Sequence, residues 1–258
     1  MIQRLSACPS RASPRRTTPQ AQTFGLTWIL VALLLFGVSF GYVEAAVVVY
    51  LRSLYEPLHL RFHPGHAEGE LFPLITLDQL KSAGSLPMRW LAIELVREAA
   101  TLLMLAAIAA AVARNFQRWL GAFNVAFGLW DIFYYFFLKL LLNWPDSWLT
   151  WDLLFLLPVP WAGPVLAPVL VAASMIAAGG VVLWRESIGQ PLRPGWLAWT
   201  AIGAGAALLL LAFCGDYRNL LDGGLPASFS WMLFALGEGL GLTGFLHSLL
   251  LRRPRGQA

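Results

Sequence analysis

Apolar residues run along this chain in long unbroken stretches. They do not alternate with polar ones as in a half-buried strand, nor form the narrow stripe of a surface helix. Crossing a bilayer core takes roughly 20 mostly apolar residues. Five stretches have that length: Phe24–Leu51, Trp90–Ala113, Trp119–Leu142, Trp196–Cys214 and Phe229–Leu251. A sixth, Trp151–Trp184, is too long for one straight helix, since its thirty-four residues would extend roughly 51 Å. Pro158, Pro160 and Pro164 interrupt it, and each removes a helix hydrogen bond. The expectation is a short helix or interfacial segment over 151–157, irregular backbone over 158–164, and a span over 165–184.

The predicted fold class is an all-α integral membrane protein, a bundle of about six transmembrane helices with a proline-broken segment before the fourth span. The polytopic membrane domain covers 24–251, with spans at about 24–51, 90–113, 119–142, 165–184, 196–214 and 229–251. A long external loop, 52–88, joins the first two spans. Residues 1–23 are predicted to be a disordered basic cytoplasmic tail and 252–258 a second basic tail.

Composition supports the lipid setting. The chain has 258 residues, 58% hydrophobic and only 12% charged, against about 25% charged in a soluble domain. Its net charge of +4 comes mostly from Arg near span ends, which topology explains better than nucleic-acid binding does. Cytoplasmic segments are enriched in Lys and Arg. With the N-terminus inside, they hold eleven of the eighteen basic residues, at least two in each segment. Both termini are therefore expected to be cytoplasmic, in a bacterial-type inner or plasma membrane. Of the fourteen acids only Glu186 falls on that side. Cys8 and Cys214 fall on opposite faces and give no disulfide framework.

Ionisable groups within spans are costly and mark candidate sites. Glu44 lies in the outer part of the first span, near Gly41. Glu94, Arg97 and Glu98 open the second. A local Glu94–Arg97 pair would leave Glu98 seeking another partner. Asp131, Tyr135 and Lys139, spaced four apart, form a polar stripe in the third span; Lys139 could equally snorkel to the surface. Asp146 and Asp152 flank the following turn, where capping of a short helix is the simpler role for Asp152. Glu238 sits mid-span among glycines, with a Gly237-x-x-x-Gly241 spacing suited to close helix packing. Outside the spans, His59, His63 and His66 cluster near Glu68 and Glu70 and could ligate a divalent metal, although an exposed polar loop explains them as well.

Glu44, Glu98, Asp131, Lys139 and Asp152 all fall in the outer half of the bundle. They predict a polar pocket open to the extracytoplasmic side, with Tyr135 and Glu238 as further candidates. The function expected from it is a small transporter or an ion- or proton-conducting protein. Alternatives are a membrane-embedded enzyme, with or without a metal, acting on lipid or an extracytoplasmic substrate, and a structural or accessory subunit of a membrane complex. The expected partners are the lipid bilayer and a membrane-protein partner or second copy; nucleic acid is not among them.

Overall fold

A computed structural model describes residues 25–65 and 70–250. The two expected tails, and His66 with Glu68, lie outside the described residues. In chain order the elements are α1 (Leu26–Phe62), α2 (Leu77–Ala83), α3 (Ser85–Val112), α4 (Phe116–Leu142), β1 (Trp151–Phe155), β2 (Trp161–Pro164), α5 (Leu166–Ser187), α6 (Trp196–Cys214), α7 (Tyr217–Leu221) and α8 (Trp231–Leu250). Among the described residues six helical stretches are long and apolar enough to cross a membrane: α1, α3, α4, α5, α6 with α7, and α8.

Two helix boundaries depart from expectation. α1 does not stop at Leu51; it continues through Phe62, for 37 residues. Its apolarity ends near Arg52, but loss of apolarity does not by itself end a helix. Pro57 lies inside it, at the cost of one backbone hydrogen bond. α3 starts at Ser85, ahead of Trp90, because Pro87 sits in its first turn, where a backbone N–H would have no partner within the helix in any case. Much of the expected 52–88 loop is therefore helical.

The larger correction concerns residues 151–164. They form an antiparallel hairpin, with Trp151 paired to Pro164, Asp152 to Gly163 and Leu153 to Ala162. There is no short helix over 151–157, so Asp152 caps none. A residue before proline is biased to extended backbone, and Pro158, Pro160 and Pro164 act together in that direction. Pro158 and Pro160 fall in the hairpin turn, while Val165 N–H donates to Thr150 O at 3.0 Å and Leu166 N–H to Trp148 O at 2.8 Å. The hairpin thus closes its own backbone bonds and leads directly into α5. The bundle is helical apart from this one pair of strands among the described residues.

α4 is the centre of the larger group, packed along α1, α5 and α3, while α6 and α8 form a second pair. Small residues set the close approaches. A Cβ on Gly128 of α4 would lie 2.5 Å from Ala172 O of α5, and one on Gly205 of α6 would lie 2.6 Å from Gly237 O of α8. The Gly237-x-x-x-Gly241 segment does face a neighbouring helix, with Gly241 backbone atoms 2.7 and 3.0 Å from that same Gly205 position. A core around Leu33, Leu105, Ala109, Ala122 and Val125 fills one half of the α1–α3–α4 group. A second core around Ala45, Tyr134, Tyr135, Leu138 and Val165 lies farther along α1 and α4, and the hairpin packs on α5 and α6. Loop 70–76 crosses this hairpin end, where Phe72 packs on Ala162 and Leu220.

Candidate functional site

Residues of the hairpin and of α1, α3, α4, α5 and α6 line a cavity of about 500 Å³. Glu44 of α1, Glu98 of α3, Asp131 of α4 and Asp152 of β1 all line it. Each is largely buried, with exposures of 7%, 5%, 8% and 1%. Four carboxylates from four separate elements therefore meet at one hollow.

Their partners differ. Arg97 bridges two acids: its Nη1 lies 2.5 Å from Glu44, and its Nη2 and Nε lie 2.5 and 2.9 Å from the two oxygens of Glu94. Thr101 accepts from Arg97 at 3.3 Å and donates to Glu44 at 3.5 Å. The local Glu94–Arg97 pair exists, extended across to α1. Glu98 stands apart from it and accepts the Leu156 N–H at 3.0 and 2.9 Å on its two oxygens. That bond ties α3 to the hairpin turn.

Asp152 accepts the Tyr135 hydroxyl at 2.9 Å. Burial pushes its carboxyl up to about 6, against the opposing influence of Arg52 and of the Tyr135 hydrogen bond. Arg52 itself stacks over the Trp144 ring at 4.2 Å. Asp131 lies within electrostatic reach of Asp152, and its Oδ2 is buried with no hydrogen-bond partner among the described residues.

The other expected site residues lie elsewhere. Tyr135 reaches the cavity only through Asp152. Lys139 donates to Asn143 O at 3.1 Å and Pro145 O at 3.0 Å, fastening the end of α4, so the Asp131–Tyr135–Lys139 stripe divides. Glu238 does not line the cavity, and its Oε1 is buried without a partner among the described residues. His59 is buried in the cavity wall, with the His63 ring 6.3 Å away. Among the described residues no three His, Cys, Asp or Glu stand together as a metal site, and His66 is outside them. The described residues supply no ligand set for the divalent metal expected at His59, His63 and His66.

Compared with known proteins, the chain matches no family model, no curated protein and no solved structure.

Several contributors were not singled out from the sequence. Arg52 and Tyr55 line the cavity, beside His59, which the sequence offered only as a metal ligand. They follow Glu44 and Val48 along one face of α1, a periodicity visible only once the helix continues past Leu51. Trp130 and Trp161 also line the cavity. Residues of α5 and α6 such as Val171, Met175 and Leu209 give the cavity an apolar wall. A second hollow of about 880 Å³ adjoins it, the two sharing Arg52, Glu56, Glu70 and Leu71 as walls.

Proposed function

We propose that this chain is a multi-pass membrane protein with both termini cytoplasmic, and that it acts as a small transporter. On this reading the cavity faces outward, and a solute enters it from the extracytoplasmic side. The observation that carries the reading is the meeting of Glu44, Glu98, Asp131 and Asp152 at one hollow. Buried carboxylates at membrane depth are costly and mark solute or proton pathways. Non-helical backbone at that depth is tolerated where it is buried or lines a cavity, as the hairpin does here. The arginine distribution supports an outside position for the hairpin end.

A substrate-free experiment separates transport from one-sided chemistry. In a Cys8→Ser, Cys214→Ser background, Met175→Cys places a thiol on the cavity wall. In oriented vesicles a membrane-impermeant maleimide is expected to modify it from the extracytoplasmic face and, more slowly, from the cytoplasmic face, as alternating access requires. Labelling from the outer face alone overturns transport. Protection from both faces overturns the open cavity itself.

A second reading, a membrane-embedded enzyme with an extracytoplasmic substrate, has one specific observation in its favour. Asp131 and Asp152 are two carboxylates in electrostatic contact, one bonded to a tyrosine hydroxyl. Such a pair can divide acid and base roles. It predicts the outer-face-only labelling pattern.

A further inference from the structure

The cavity pairs its acids with an unusual amount of aromatic surface. Phe127, Trp130, Phe155 and Trp161 all line it. Their rings run in sequence, with centroids 5.2 Å apart from Phe127 to Trp130, 6.1 Å to Phe155 and 5.7 Å to Trp161. The first and last of these contacts are edge-on, at 67° and 64°, so the surface is angled rather than one flat stack. Next to Trp130 in sequence, and in the same wall, is Asp131, whose buried Oδ2 has no partner among the described residues.

Two chemistries coincide here. Aromatic faces attract cations through the ring quadrupole, and clustered rings are a recurring way to bind ammonium groups. A buried carboxylate without a partner is costly unless a cation or donor reaches it. The charge balance agrees in sign: seven carboxylates and two guanidiniums line the cavity, and Arg97 is already held by Glu44 and Glu94. The cation is not pointed toward a metal, because the described residues offer no three-ligand cluster. The apolar α5–α6 wall would hold a hydrocarbon body, and a volume of about 500 Å³ lies in the roughly 300–1,000 Å³ range of small-molecule sites. The indole N–H groups of Trp130 and Trp161 are also buried without partners among the described residues. They are donors for a hydroxyl or carbonyl near the charged group.

We infer that the cavity is a binding site for an organic ammonium with an apolar body, its charge held by Asp131 within the Phe127–Trp130–Phe155–Trp161 surface and its hydrocarbon part against α5 and α6. This rests on the reading of the cavity as a solute site, and names the class of solute.

The test is equilibrium binding to the full chain in lipid nanodiscs, using three probes of one size: phenethylammonium, 2-phenylethanol and phenylacetate. Phenethylammonium is expected to bind saturably and at least ~30-fold more tightly than either of the others. Asp131→Asn is expected to weaken it by tenfold or more, and Trp161→Leu by several-fold, with Asp131→Glu restoring part of the loss. Equal binding of the alcohol, preference for the carboxylate, or no saturable phenethylammonium binding overturns the inference on the unmodified chain, whatever the variants do. Unchanged affinity in an Asp131→Asn protein that melts normally also overturns it. Labelling of Met175→Cys from both faces without ammonium preference removes the ligand class and leaves transport standing. Selective ammonium binding with one-sided labelling removes transport and leaves the ligand class.

Discussion

The Tyr135 hydroxyl donates to Oδ2 of Asp152 at 2.9 Å, joining the third long helix to the first strand of the hairpin across a wall where both side chains are buried. An acid so enclosed has a pH-dependent cost. Its ordinary value is 3.8 and its folded value is about 6, so the folded state favours the neutral form. The stability it contributes is complete below about pH 3.8 and is lost as pH rises through about 6. The shift corresponds to on the order of 3 kcal/mol. Wild-type protein in detergent should therefore lose melting temperature between pH 4 and pH 7 by more than Asp152→Asn does. Parallel pH profiles for the two proteins would show that Asp152 is not the titrating group.

Tyr135→Phe keeps the ring and removes the donor. A buried carboxylate that loses a partner costs about 1–3 kcal/mol. The expected result in chemical unfolding is a loss in that range, much reduced when Asp152→Leu is already present. A full additive loss in the double variant would mean that the hydroxyl acts elsewhere.

Arg97 holds Glu44 and Glu94 together, and removing one member of a buried charge cluster costs about 3–5 kcal/mol because the others stay behind uncompensated. Arg97→Met should be strongly destabilising. Adding Glu44→Gln and Glu94→Gln to it should recover most of the loss, as an apolar or neutral set replaces a broken ionic one. Unfolding of the single and triple variants in parallel measures this, and a triple variant weaker than the single contradicts it.

Glu98 grips the hairpin turn through the Leu156 amide. Glu98→Gln retains an acceptor and should cost under ~1 kcal/mol, whereas Glu98→Leu removes it and should cost about 1–3 kcal/mol. The local readout is amide hydrogen exchange at Leu156, which should accelerate at least tenfold in Glu98→Leu and little in Glu98→Gln. Equal protection in both would separate this contact from the stability of the turn.

Gly128→Ala should destabilise by about 1–3 kcal/mol, because the added methyl would meet the α5 backbone and overpacked cores relax poorly. Gly180→Ala on α5 meets nothing within 4 Å and should be neutral or slightly stabilising, as alanine is the better helix former. Melting temperatures of the two variants compare them directly.

The helices were legible in the sequence because apolar length is a local signal. Trp196–Cys214 has the same ends in both readings, and the fourth long helix begins one residue after its expected start. Helix continuation past Leu51 was not legible, since the sequence marks where apolarity stops and the backbone continues through Arg52 and Glu56 regardless. The prolines at 158, 160 and 164 lie in the hairpin turn and its second strand. The two strands they favour were missed because 151–157 is apolar and too short for its period to distinguish helix from strand. Glu44, Glu98, Asp131 and Asp152 were legible as costly groups at similar depth. Their partners, Arg97 for one, the Leu156 amide for another and the Tyr135 hydroxyl for a third, depend on tertiary approach and leave no spacing rule behind. Lys139 shows the limit of periodicity: it shares a helix face with Asp131 and Tyr135, yet bonds to carbonyls beyond the end of that helix.

The hairpin completes its backbone ladder within some fourteen residues, so its frame does not depend on which side chains it carries, even though those side chains pack on the helices around it. Its side chains can therefore drift while the glycine-seated helix pairs hold their spacing. On the proposed reading of the cavity as a solute site, relatives of this chain that accept other molecules should differ first at strand positions such as 153, 155 and 161, which makes this short insert the natural place to graft a new preference onto an unchanged bundle.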